Sequence, residues 1–321
     1  MTGHGSMQYW PHRRAARRLP RIRNNPSLAE QRLASVVAYK VGMTHLLMTD
    51  DSESPSKNME VARACTILEI PKMEAYGVRF YSKDGTTGYR IASAEVFHKA
   101  IAHKLGLKNV KQDETKLAAF KPRLGEFTSI ALLVAAYPKG LNVEQHHPMR
   151  FEAAVGGKTM EEKFEFASKL LGSEIKVADV FKPGEYVDVM SVTTGKGWQG
   201  PIKRFGVKRN FHKATGKIRH GGPLGAFSPG KVYFTVPRAG QMGFNYRTEH
   251  NKRILRVGTA AEVSQINPIR GFSNYGNARN DFIIINGSVP GTAKRLVRVR
   301  KSIRDRNVAG IKEPKITYIS Q

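Results

Sequence analysis

Short runs rich in β-branched and aromatic residues recur along the chain at the lengths of strands. LASVVAY (33–39) and MTHLLMT (43–49) flank Lys40, Val41 and Gly42, a spacing that predicts two paired strands. EVARACTILEI (60–70) and AYGVRFY (75–81) continue the pattern. Helical spacing follows. Ser93 is placed to cap a helix with Phe97, Ile101 and Leu105 on one face. Thr159 and Glu162 form a capping box before Met160, Phe164, Ala167 and Leu171, with Gly172 as the stop. Strand character returns at 174–181, 185–193, 231–236, 253–258, 281–287 and 295–300. Strands, then a mixed segment with helices, then strands again predict a mainly β protein: a barrel or sandwich interrupted by an inserted α+β domain. The chain shows no internal repeat.

Charge changes this picture by region. The chain has 53 Lys and Arg against 26 Asp and Glu, a net of +27, far beyond what solubility needs, so its partner is a polyanion. Residues 50–170 hold 18 basic and 16 acidic residues, an ordinary globular balance. Residues 195–256 hold 14 Lys and Arg and one acid, Glu249. PHRRAARRLPRIR (11–23) adds six Arg and no acid, and residues 291–306 hold seven basic residues against Asp305. The basic tracts are broken by Gly and Pro rather than lined by an apolar face, which favours folded nucleic acid over a membrane surface. The segment 203–231 has eight Lys or Arg, six Gly and no acid, with Phe205, Phe211 and Phe227 widely spaced. Too poor in apolar residues to build a core, it reads as a long excursion between late strands that orders on a partner.

Candidate catalytic chemistry is sparse. TTGKGWQG (193–200) has the look of a phosphate loop, but the pattern needs Gly where Met190 stands and Ser or Thr where Gly197 stands. His146 and His147 are adjacent, a poor geometry for joint chelation. The single cysteine, Cys65, excludes a disulfide framework and a cysteine-based zinc site, and its apolar neighbours predict a buried thiol. The longest apolar run, IALLVAAY (130–137), is too short to span a bilayer. These features predict a soluble cytosolic protein.

SVTTGKGWQGPIKRFGV, GGPLGAFSPGKVYFTVPRAGQMGFNYRTEHNKRILRVG and INPIRGFSNYGNARNDFIIINGSVPGTAKRLVRVRKSIR closely resemble ribosomal protein three of the large subunit, in its archaeal and eukaryotic form. GSMQYWPHRRAARRLPRIR, AYKVGMTHLLMTD and SPSKNMEV resemble that family as well, so the likeness runs from about residue 5 to 306. The resemblance implies a translation-protein-type Greek-key β-barrel with an inserted α/β domain, a long basic N-terminal arm and a central finger loop. On this frame the chain divides into a basic extension (1–32), a barrel in two segments (33–92 and 174–306, with the basic region 195–256), an insertion (93–173) and a C-terminal tail (307–321).

The implied function is structural rather than enzymatic: direct binding of large-subunit (23S-type) rRNA, early assembly of the subunit, and a finger at 203–231 reaching toward the peptidyl transferase centre near the factor-binding region. The implied location is the cytoplasmic ribosome, with no homo-oligomer and no membrane. Implied neighbours are ribosomal protein fourteen of the large subunit and an L24e-like protein; no cofactor is implied beyond Mg or K ions bound to the rRNA. The family's finger tip usually carries Trp where this chain has Phe227 after Gly225 and Ala226, which keeps a ring and loses an N–H donor. At the start, MTGHGS lacks the Arg that relatives often carry before Gly-Ser. An RNA-modifying enzyme and a DNA-architectural protein are the rival readings, the first needing a cofactor pocket for which no motif is present.

The expected RNA contacts in the arm are Arg13, Arg14, Arg17, Arg18, Arg21 and Arg23. Around the finger they are Lys196, Trp198, Lys203, Arg204, Lys208, Arg209, His212, Lys213, Lys217, Arg219, His220 and Phe227. Beyond it they are Arg238, Gln241, Arg247, Lys252, Arg253, Lys294, Arg295, Arg298 and Arg300. Arginine grips phosphate with two parallel hydrogen bonds, lysine supplies a less directional charge, and aromatic rings pack on unstacked bases.

Overall fold

The computed structural model describes residues 10–107, 114–213, 216, 218–222, 224–226, 228, 230–304 and 311–321. Internal contacts divide the chain into a body, 19–191 with 248–321, and a smaller basic unit, 1–18 with 192–247.

The body is built on β1 (Ser35–Thr49), β2 (Glu60–Glu69), β3 (Lys72–Lys83), β4 (Arg90–Phe97), β5 (Ser129–Tyr137), β6 (Met149–Ala154) and β7 (Tyr186–Val192). The two-residue strands β8 (Trp198–Gln199) and β9 (Gly240–Gln241) lie in the basic unit. β10 (Tyr246–Gly258), β11 (Phe282–Asn286), β12 (Leu296–Lys301) and β13 (Ile316–Ile319) complete the set. One sheet runs β12-β7-β10-β11-β2-β1-β13, and β12 also pairs with β1, so six of its strands close into a ring. Closure removes the unpaired edges an open sheet would present. β12 takes residues 35–39 of β1, while β13 takes residues 46–48.

The second sheet runs β4-β3-β5-β6. It carries α1 (Lys99–Lys104), α2 (Met160–Leu170) and a run of 3-10 turns over Glu114–Glu126. One apolar cluster contains Ile283 and Ile285 of β11 together with Val78, Phe80, Ile130, Leu132 and Phe164, so barrel and insertion share a core. A second takes the alternate side chains, Phe282 and Ile284, with Cys65, Ile67 and Tyr275. Side chains alternate across a strand. β11 is therefore buried on both faces, which is why DFIIING reads as a continuous apolar run instead of an alternating one. The Cys65 thiol is buried as expected, and burial pushes its pKa up to about 11.

Several local expectations are corrected. Residues 35–49 form one continuous strand rather than two, because Lys40–Gly42 is a bulge against Leu68 and Ile67, not a turn. Gly42 is there for space: a Cβ on it would lie 2.8 Å from the Phe272 ring. Ser93 sits inside β4, at the register shift in that strand's pairing with β3, and α1 begins only after His98. The run 174–181 is not a strand; Val177–Val180 forms α3, a single turn. Residues 231–236 pair with nothing as a strand and are largely exposed, since no neighbouring edge receives them among the described residues.

Half of the expected capping box forms: the Glu162 carboxylate accepts from Lys158 N at 2.8 Å rather than from Thr159 N. Thr159 Oγ1 accepts from Glu162 N at 3.2 Å, α2 buries Phe164 and Ala167, and Gly172 follows at φ +85°. The strands β3 and β4 belong to the second sheet, so its pairing begins at Lys72, earlier than the expected insertion at 93. β13, within the expected tail, adds to the barrel sheet through β1. Its signal, a four-residue run near the end of the chain, is too short to read by periodicity.

Candidate nucleic-acid interface

The basic unit contains 15 Lys and Arg and no Asp or Glu. The body, by contrast, pairs its charges internally: Arg79 with Glu95, Arg253 with Asp51, Arg256 with Glu262 and Lys301 with Glu185. Without one carboxylate of the unit's own to offset them, its cations repel one another.

Backbone pairing ties the arm to the unit's own late segment. Ala15 N donates to Phe244 O at 2.8 Å, Arg17 N donates to the Tyr246 hydroxyl at 3.0 Å, and that hydroxyl donates back to Arg17 O at 2.7 Å. Both groups of Arg17's main chain are thereby used, and its side chain is exposed. Next to this contact the rings of Trp10, His12, Phe205 and Phe234 pack at centroid distances of 5.3–6.2 Å. Burial, then the charges of Arg204 and Arg247, lower the His12 pKa, so the imidazole is neutral at pH 7.

α4 (Pro201–Phe205) starts with Pro at its first position and stops at Gly206, φ +70°. It buries Phe205. Its Arg204 donates from Nε to Gln241 O at 3.0 Å and from Nη1 to Arg238 O at 2.9 Å. The guanidinium crosses so close to Gly240 that a Cβ there would lie 2.6 Å from Nη1. Arg204 thus clamps residues 238–241, of which Gly240 and Gln241 also pair with Gln199 and Trp198. Gln241 turns its amide onto Met242 O and Gly243 O.

The expected contacts fall into three groups. Arg13, Arg14, Arg17, Arg18, Arg21, Arg23, Lys196, Trp198, Lys203, Lys208, Arg209, His212, Lys213, Arg219, His220 and Arg238 are exposed. Trp198 shows 76% of its surface although it stands in a strand pair. Within 203–231, Asn210 N donates to Ile218 O at 3.1 Å and its side chain to His220 O at 3.3 Å. Lys217 and Phe227 lie outside the described residues.

The third group is committed inside the protein. Arg298 and Arg300 of β12 are buried. Arg298 donates to the carbonyls of Pro20 and Glu152, and burial pulls its pKa down to about 10. Arg300 binds Asp188 at 2.5 Å and the carbonyl of Asn24. These two arginines hold residues 20–24, the root of the arm, on the barrel; that is a different task from the phosphate contact expected of them. Arg253 is paired with Asp51 and Lys312 O, Lys252 with Glu249 at 2.6 Å, and Lys294 faces Glu144 at 3.7 Å. Arg247 donates to Tyr246 O, and Arg247 and Arg295 are half-buried. Sequence reasoning passed over the exposed rings Tyr233 and Phe234, hidden inside a run read as a strand, and the exposed Arg270 and Arg279.

A family model described as Ribosomal protein L3 matches residues 1–321. The chain belongs to the ribosomal protein L3 family. Relatives named large ribosomal subunit protein uL3 span it nearly end to end. That of Methanothermobacter thermautotrophicus is 40% identical, covering 98% of this chain and 95% of the relative. That of Methanobrevibacter smithii is 39% identical with the same coverage, and that of Methanopyrus kandleri is 39% identical over 99% of this chain and 89% of its own. Members of the ribosomal protein L3 family are structural proteins of the large ribosomal subunit, not enzymes, and the place of this chain is the cytoplasmic ribosome. Among the described residues no helix is long and apolar enough to cross a membrane.

Proposed function

We propose that this chain binds large-subunit rRNA directly through its basic unit and helps fold the RNA early in subunit assembly. The observation that carries the reading is the unit's charge: 15 cations, no acid, and an exposed Trp198. The arm (11–23) and finger (203–231) enter between RNA helices and neutralise phosphates that would otherwise repel. Arg209 and Arg219 are the bidentate candidates and Lys203, Lys208 and Lys213 add diffuse charge. Trp198 and the finger-tip Phe227 supply rings for unstacked bases. The barrel takes the Greek-key form, the finger is directed at the peptidyl transferase centre near the factor-binding region, and ribosomal protein fourteen and an L24e-like protein are its neighbours. Mg or K ions would then be held by the RNA rather than by this chain.

The test is binding of the purified chain to large-subunit rRNA across a salt series. Each phosphate contact weakens binding by about 0.7–0.9 log units per log unit of salt. Ten contacts predict a loss of about four to five decades between 50 and 200 mM. A change under tenfold refutes the reading, as does absence of the chain from the large-subunit peak of a native lysate sedimented at moderate and high salt.

A further inference from the structure

The body carries a groove of about 740 Å³ between the loops 141–146 and 269–279, with Lys294 at its side. It shares no residue with the basic unit. Grooves of roughly 300–1,000 Å³ accept ligands of several hundred daltons.

The 267–280 loop is held from below. Glu69, wholly buried, accepts from the Tyr275 hydroxyl at 2.6 Å, Arg279 N at 2.7 Å and Asn280 N at 2.8 Å. Asn267 closes the loop's base with two 3.0 Å bonds to the main chain of Ala278. Asn142 reaches across to Asn277 O at 2.6 Å and so joins the two walls. Gly276, at φ +87°, lies where a Cβ would be 3.2 Å from that Asn142 amide. A loop fixed at this many points keeps its outer side chains in place without a ligand to order them.

What it presents is unusual for a surface left to water. Arg270 and Arg279 are exposed and form no ion pair among the described residues. Between Pro268 and Arg270 stands Ile269, 99% exposed. The one acid in the lining, Glu144, faces Lys294 at 3.7 Å. Two arginines therefore remain unopposed around a projecting aliphatic side chain. That set suits a nucleic-acid strand: guanidinium groups for consecutive phosphates and an apolar wedge for an unstacked base. An acidic peptide would use the arginines but has less call for Ile269 within a mostly polar groove.

We propose that this groove is a second RNA site, taking the phosphodiester backbone of an unpaired rRNA strand on Arg270 and Arg279 with Ile269 against a base. The inference rests on the rRNA-binding reading and extends it to a surface with no share in the arm or finger. The first experiment places a photo-crosslinking amino acid at Ile269 in the chain incorporated in large subunits. Cross-links to rRNA are expected; cross-links to a ribosomal protein only, or none, overturn the groove site.

The second compares the intact chain with Arg270→Ala/Arg279→Ala on full-length large-subunit rRNA. Losing two phosphate contacts should flatten the log–log salt slope by about 1.4–1.8, so that the loss between 50 and 200 mM is about seven- to twelvefold smaller. The melting temperature should not move, since neither side chain has an ion pair to lose among the described residues. An unchanged slope overturns the groove site alone if Lys208→Ala/Arg209→Ala still flattens it. A flat slope in the unsubstituted chain overturns the rRNA reading itself.

Discussion

Replacing Glu69 by alanine should be among the most damaging single changes in the body. The carboxylate is fully buried and accepts from the Tyr275 hydroxyl, from Arg279 N and Asn280 N, and from the Asn280 amide at 3.2 Å. Alanine removes the acceptor for three strong donors at once, and each buried donor left without a partner costs about 1–3 kcal/mol. Part of that is recovered if water enters the space, which leaves about 4 kcal/mol, at the upper end of single-residue effects. For a chain of this size that lowers the melting temperature by about 8 °C at roughly 2 °C per kcal/mol. Glu69→Gln keeps the volume and one acceptor oxygen but aims an NH2 group at the donors, so about half the loss is expected. Tyr275→Phe removes one bond and should cost about 1 kcal/mol. Urea unfolding of the full chain, followed by circular dichroism, measures all three. A loss below 1 kcal/mol for Glu69→Ala, or a Gln variant worse than Ala, would refute the view that this carboxylate organises the 267–280 loop.

Three further outcomes are expected. Asp188 is buried; burial raises its pKa, but bonds from Arg300, Asn251 N, His250 and Ile303 N outweigh this and hold the carboxyl below its usual range. Its contribution is present above the unfolded value near 4 and is lost as pH falls through the lower folded value, so Asp188→Asn should shrink the acid-induced part of the stability loss in a pH-dependent unfolding series. Gly258→Ala would place a Cβ 2.2 Å from the buried Phe282 ring and should destabilise by about 1–3 kcal/mol, read by the same urea titration. Trp198→Ala should leave stability within about 0.5 kcal/mol, because the ring is exposed, yet weaken rRNA binding by about 1–3 kcal/mol in a filter-binding assay.

Much of the β framework was legible because apolar runs of strand length leave a clear mark, as at 60–70, 185–193 and 281–287. Misreadings have physical causes. Gly42 looks like a turn residue, but it serves a close approach by Phe272, and no local pattern distinguishes the two. KVYFTV has the composition of a strand and lacks a neighbour to pair with among the described residues, a tertiary fact.

At the site, counting charge located the basic region but treated every arginine alike. Arg298 and Arg300 alternate with Val297 and Val299 in a strand buried on both faces, and only the arrangement of Asp188 and the carbonyls of residues 20–24 reveals where their charge is spent. Arg270 and Arg279 escaped notice for the opposite reason: each stands alone among Gly, Asn and Ser, and folding brings them to one groove.

The bond between Arg17 and Tyr246 joins residues 229 positions apart. At roughly 5–20 residues per second, synthesis leaves the arm without its strand partner for about 10–45 s. Throughout that interval a stretch of arginines with no internal anchor is exposed to every polyanion in the cell. The pairing sets a clock: the main-chain bonds of Ala15 and Arg17 close only after residue 246 has been made, so until then this stretch lacks the partners that hold it in the folded chain.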